Sequence, residues 1–302
     1  MTQVRTASGR RGPGYWLYLV PGAALFVAVI LVPFAMNIGI SLTDWDGVGR
    51  PQWTGFGQYR ELFGDGLFWS SFRHSLVLVL AMAVIPTILG LILAYALFDV
   101  IGKRFGPRTA SVLRAAFYLP QVLPVAVAGI VWSWLLTDDG AVNAVLRKVG
   151  LASLAHDWLG EEKWALATVA GVLVWIQLGF PLVVFMSGLQ RVDPALYEAA
   201  EIDGAGWWGR LWHVTVPQIR PEIAVVLLWT TIAALKVFPP IYVLTKGGPG
   251  DATNVPSYFS FQNFFDKTDV GYGAAIATVL TLLILALAAV FLRLQGRQQE
   301  EV

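Results

Sequence analysis

Lys236 is the only ionisable side chain well inside an apolar run of this 302-residue chain. A charge at mid-bilayer costs about 2.5–3.5 kcal/mol on insertion scales, so such a residue marks either a polar pathway or a buried pairing. Both readings apply to Lys236: it lines a pathway, or it bends toward a carbonyl or acidic group of a neighbouring helix or companion chain. Gln177, Trp175, Asn37 and the Gly179-Phe180-Pro181 break are weaker pathway features. Pro and Gly in membrane helices also accommodate packing and curvature. Other chemistry is sparse. The chain has no cysteine, which removes disulfides, thiolate metal sites and thiol nucleophiles. His74, His156 and His213 are dispersed, so local spacing cannot gather them around a metal. There is no His-Glu-x-x-His zinc helix, no Gly-x-Ser-x-Gly elbow and no Gly-x-x-x-x-Gly-Lys-Ser/Thr phosphate loop. Catalysis within the chain is not expected, and neither is a bound cofactor.

The elements that must position these residues are membrane spans. Hydrophobic residues make up 56% of the chain and charged residues 14%, against about 25% charged in soluble domains. The net charge of +1 offers no basic surface for nucleic acid. Crossing about 30 Å of hydrocarbon takes roughly 20 apolar residues, and six such runs are present: 17–40, 75–98, 117–136, 165–189, 223–244 and 274–292. The expected fold class is an all-α membrane protein of six transmembrane helices. The first run follows Arg5, Arg10 and Arg11 as a signal peptide would, but its length and the five later runs favour an uncleaved span. Twelve Lys/Arg fall on the side of the termini, among them Lys103, Arg104, Arg108 and Arg114, and eight on the other. The positive-inside rule then places both termini in the cytoplasm. Trp16, Trp69, Trp132, Trp134, Trp164 and Trp229 lie near expected interfaces, where amphipathic rings settle. The division is a tail at 1–16, a membrane-spanning body at 17–292 with a cytoplasmic loop at 190–221, and a tail at 293–302.

That loop carries the most information. Asp193 is a good N-cap and Pro194 suits the first helical position. Leu196, Ala199 and Ala200 share one face of the helix that follows, Glu198 and Glu201 point elsewhere, and Gly204 can take the left-handed conformation that ends it. A second short helix over 207–214 is blocked by Pro217 and Pro221 from running on into the fifth span. One reading is an amphipathic helix lying on the lipid surface. Such helices are rich in Lys/Arg, whereas this one is acidic with a small-residue face, which suits close protein packing.

Glu198-Ala199-Ala200, then Asp203-Gly204-Ala205, with Trp212 and Pro217 downstream, resembles the signature of permease subunits of binding-protein-dependent ABC importers. Asp193-Pro194 and Tyr197 bring it nearest the carbohydrate-uptake branch, the maltose-type and glycerol-phosphate-type permeases. Thr245-Lys-Gly-Gly-Pro249 with Thr253, and Gly271-Tyr-Gly273, agree with this. Phe238-Pro239-Pro240 departs from the family pattern and should kink the end of span five. The resemblance implies a bacterial inner-membrane subunit forming half of a translocation pathway for sugar, oligosaccharide or polyol phosphate. It implies as partners a companion permease, an ATP-binding subunit dimer that holds ATP and Mg, and an extracytoplasmic substrate-binding protein. It assigns contact with the ATPase to Glu198, Ala199, Ala200, Asp203, Gly204, Ala205, Arg210 and Pro217. Lys236, Gln177 and Trp175 are the pathway candidates, and Trp132, Trp134 and Trp175 have faces able to stack on sugar rings, although anchoring suits them as well. A secondary transporter is the alternative, but it would carry an internal repeat and intramembrane carboxylates, neither of which is evident.

Overall fold

The computed structural model describes residues 15–299, and side chains over 17–294. Arg5, Arg10, Arg11 and the side chain of Trp16 lie outside the described residues. Four helices are long and apolar enough to cross a membrane: Leu17–Ser41 (α1), Gly66–Phe105 (α3), Glu162–Leu189 (α7) and Val270–Leu294 (α13). Two bent pairs would raise the number to six: Pro107–Val122 with Val125–Leu135 (α4 and α5, 94°) and Trp207–Gln218 with Arg220–Leu235 (α9 and α10, 78°). The remaining pieces are the two-residue strands β1 (Thr43–Asp44) and β2 (Gln52–Trp53) and short helices at Gly57–Gly64 (α2), Ala141–Lys148 (α6), Pro194–Ile202 (α8), Pro239–Leu244 (α11) and Pro256–Phe261 (α12).

Prolines explain most departures from straight spans. Wide turns at Val27–Leu31, Leu80–Val84 and Leu211–Thr215 each end two residues before a proline, Pro33, Pro86 and Pro217. A proline has no N–H and its ring crowds the carbonyl four residues back, so the preceding turn widens. The expected third span, 117–136, is broken at Leu123, which is extended (φ −65°, ψ 135°) because it precedes Pro124. The expected fifth span, 223–244, stops at Leu235. Pro239 and Pro240 have no donors for the carbonyls of Leu235 and Lys236, so 239–244 forms a separate helix. The second span begins at Gly66 rather than Ser75, because Asp65 caps it by accepting from the Leu67 N–H at 2.8 Å.

Glycines allow two close helix–helix contacts. A Cβ on Gly90 of α3 would lie 2.7 Å from Pro181 of α7, and one on Gly129 of α5 would lie 3.0 Å from Val243 of α11. Such contacts let apolar helices pack without a hydrophobic drive between them. One buried core joins Leu91, Tyr95, Phe185 and Leu189 to Leu211 and Ile219 beside the 190–221 loop. Another gathers Leu78, Val169, Leu173, Ile241 and Tyr258. The apolar stretch of α1 is unburied, and α1 is held to α13 by Asn37, whose amide donates to Ala274 O (3.2 Å) and Thr278 Oγ1 (2.9 Å). Asn37 is thus an interhelical tie.

Candidate functional site

Residues 190–221 form a helix, a tight turn and a helix. Asp193 Oδ1 accepts from the Ala195 N–H at 2.9 Å, and Pro194 opens α8. At the other end Ala205 N donates to Ala200 O (2.9 Å) and Gly204 N to Glu201 O (3.0 Å), while Gly204 sits at φ +78°. This paired arrangement satisfies the last carbonyls and needs a left-handed residue, which glycine adopts without a Cβ penalty. The chain then turns into α9.

The loop is clamped to the body by aromatic rings and ions. Tyr197 stacks on Tyr95 of α3 with centroids 6.3 Å apart, and its hydroxyl lies 3.0 Å from Thr215 Oγ1. Trp207 packs 4.9 Å from Tyr95. Burial pushes the Tyr197 phenol above its ordinary pKa of 10.0, outweighing the opposing effect of the hydrogen bond it shares with Thr215. Arg210 pairs with Asp99 of α3 at 3.3 Å and with Glu201 of α8, while Lys103 caps the network on Asp99 at 2.6 Å. Arg191 pairs with Glu222 at the start of α10. The loop is therefore fixed at three points to two helices, α3 and α10.

This geometry sorts the residues expected to meet a partner. Glu198, Ala199, Asp203 and Gly204 are exposed, and Ala200, Ala205 and Pro217 are half-buried. Arg210 is different: its side chain is 12% exposed and its charge is engaged inside the chain. The face shared by Leu196, Ala199 and Ala200 is divided in the structure. Tyr197 and Ala200 turn toward the body, Leu196 and Ala199 are exposed, and Ile202 is 87% exposed. Sequence reasoning missed Asp99, Tyr95 and Trp207. The Asp99–Lys103 pair was visible at i, i+4 spacing, but no local signal joins Asp99 to an arginine 111 residues away.

The in-span candidates border one core without forming a single cluster. Trp175 packs edge-on against Trp132 at 5.4 Å, which ties α7 to α5. Gln177 is 6% exposed and its amide nitrogen has no partner among the described residues. Pro181 four residues later offers no N–H to its carbonyl, so polarity concentrates at this break. Lys236 is exposed at the C-terminal cap of α10, where the helix dipole favours a cation. It lies at a break between helices rather than within one, and its Nζ has no ion pair or hydrogen bond among the described residues. His74, His156 and His213 sit apart: on Asn254 O at 2.9 Å, between Trp158 and Trp164, and on Gly209 O at 3.0 Å.

Residues 87–300 match the family described as the inner membrane component of binding-protein-dependent transport systems. The chain belongs to this family. A probable ABC transporter permease protein of Bacillus subtilis is 32% identical over 288 residues, covering 95% of this chain and 97% of that one. A sulfoquinovosyl glycerol transport system permease protein of Agrobacterium fabrum is 32% identical over 285 residues, 92% and 89% of the two chains. The fold is shared with a bacterial ABC transporter involved in import of the acidic polysaccharide alginate, at a TM-score of 0.78 and 22% identity over 94% of this chain and 95% of that one. The permease is accordingly a transport subunit of the inner membrane and not an enzyme, and the secondary-transporter alternative falls away. Its dependence on a binding protein is part of the family's description.

Proposed function

We propose that the permease crosses the membrane six times with both termini in the cytoplasm, forms half of a translocation pathway for a carbohydrate, and is driven through α8. The observation that carries this reading is the contrast within the loop. Its outer surface, with Glu198, Asp203, Ala199 and the exposed Ile202, is free, while its inner surface is locked to α3 and α10 by Tyr197, Arg210 and Arg191. A push on the free surface reaches two spans without being lost in loop motion, which is what coupling between distant sites needs. Glu198 and Asp203 supply negative charge for basic groups of an ATP-binding subunit, and Ala199 and Gly204 permit close approach. ATP and Mg are held by that subunit dimer; a companion permease and an extracytoplasmic binding protein complete the importer.

Carbohydrate as the substrate class rests on the resemblance to carbohydrate-uptake permeases and on the relative named for sulfoquinovosyl glycerol transport. Lys236, Gln177 and Trp175 are the residues proposed to meet it. The test is co-purification of the permease with neighbouring gene products, then uptake of labelled sugars into vesicles with and without ATP. Uptake that requires ATP and the binding protein is expected. Uptake driven by an ion gradient alone would overturn the reading.

A further inference from the structure

The outer strip of the bundle between α3, α10 and α13 holds a groove of about 560 Å³, lined by Trp69, Phe72, Arg73, Leu76, Thr231 and Leu283 among others. Its walls are almost wholly apolar, and one cation stands in it. Arg73 is exposed and, among the described residues, has no ion pair or hydrogen bond. None of the lining residues comes from α1. Lys236, also exposed, directly follows the lining residue Leu235.

Depth decides what such a groove would hold. Arg73 and Asp99 lie on one continuous helix, 26 residues apart. That is roughly 39 Å along the axis at about 1.5 Å per residue, more than the ~30 Å of hydrocarbon and close to the ~40–45 Å that includes both headgroup layers. With Asp99 in the polar network at one surface, Arg73 falls in the headgroup layer of the other. The exposed ring of Trp69, whose indole N–H donates to Phe63 O at 3.0 Å, marks the same level. Below it Leu76, Val79 and Leu283 run along the hydrocarbon. An arginine at headgroup depth above an apolar channel at acyl-chain depth complements one kind of molecule.

We propose that this groove binds an anionic phospholipid, its phosphate on the Arg73 guanidinium and one acyl chain between α3, α10 and α13. Guanidinium donors match phosphate oxygens in a paired, directional way. A zwitterionic lipid fits the channel but brings its own cation to Arg73. A carbohydrate would find only Arg73 and Thr231 as hydrogen-bonding partners along the walls, and most of its hydroxyls would lose water without compensation.

The experiment uses the full-length permease in its assembled complex, in nanodiscs containing a photoactivatable phosphatidylglycerol or phosphatidylcholine probe. Labelling by the anionic probe should map to residues 69–79, 231–235 and 283–287. In Arg73→Gln it should fall about tenfold, as loss of one charge-assisted contact implies. Arg73→Lys should retain most of it. Leu76→Trp, which fills the groove, should abolish labelling while Arg73 remains, so a charge effect on folding is separable from occupancy. Equal labelling by both probes, or anionic labelling unchanged in Arg73→Gln, overturns the proposal. So does a Leu76→Cys variant that cross-links to a second polypeptide and receives no lipid label, which would assign the groove to a protein contact.

Discussion

Arg210 and Asp99 meet at 3.3 Å across 111 residues of sequence, each with a side chain about nine-tenths buried, and this pair joins the 190–221 loop to the second span. Removing one partner leaves the other with only its second ion pair, Arg210 with Glu201 or Asp99 with Lys103, so the loss falls below the roughly 3–5 kcal/mol of an uncompensated buried charge. Asp99→Asn and Arg210→Met should each leave the protein in the membrane while the loop becomes cleavable by protease between residues 190 and 221. The double variant should be less damaged than the sum of the two. Additive effects in that cycle would remove the pair from its clamping role.

Gly204 sits at φ +78° with no atom within 4 Å of where a Cβ would lie. Within the chain, Gly204→Ala thus meets only backbone strain, about 1 kcal/mol. Gly204→Asp adds bulk and charge to the exposed surface proposed to dock. Insertion should be normal for both, with uptake reduced in the first and abolished in the second. Normal uptake by Gly204→Asp at wild-type expression would count against coupling through this turn.

The Tyr197 phenol, raised above 10.0 chiefly by burial, favours the neutral form in the folded loop. Its contribution to loop stability is therefore complete below about pH 10 and declines as pH rises through the folded-state value. Protease sensitivity of the loop in detergent should increase along that limb together with the phenolate absorbance. Tyr197→Phe should flatten the pH dependence. A limb unchanged in that variant would assign it to another group.

Gly90 lies close against Pro181, where an added Cβ would come within 2.7 Å. Gly90→Val should lower stability by about 1–3 kcal/mol through overpacking. Thermal unfolding in detergent reads this directly, and an unchanged midpoint would mean that these helices can separate at no cost.

Lys236→Met removes the charge at the end of α10 and leaves the loop untouched. Substrate preference or assembly with the companion permease should change while binding of the ATP-binding subunit persists. Loss of that binding from an otherwise assembled complex would refute the separation of the two sites.

Span existence was legible because hydrocarbon admits only long apolar helices with their backbone satisfied internally. The turn at Gly204 was legible too: Asp193, Pro194 and Gly204 act through bonds between near neighbours, and the observed caps are local. The prolines were visible, yet the 94° bend after Val122 was not anticipated, because proline in a membrane helix is compatible with straight, kinked or broken forms until neighbours choose among them. The place of Arg210 shows the same division. Its charge and position suited an outward contact, and only the folded chain brings Asp99 and Glu201 beside it and turns it inward. By itself the sequence determined that this is a membrane protein with a capped loop, since hydropathy and capping are short-range properties, and the loop's resemblance to the permease signature supplied the transport role. The tertiary structure decided which face of that loop is held and which is free, and where Arg73 meets its apolar groove, because those follow from contacts between segments far apart in the chain.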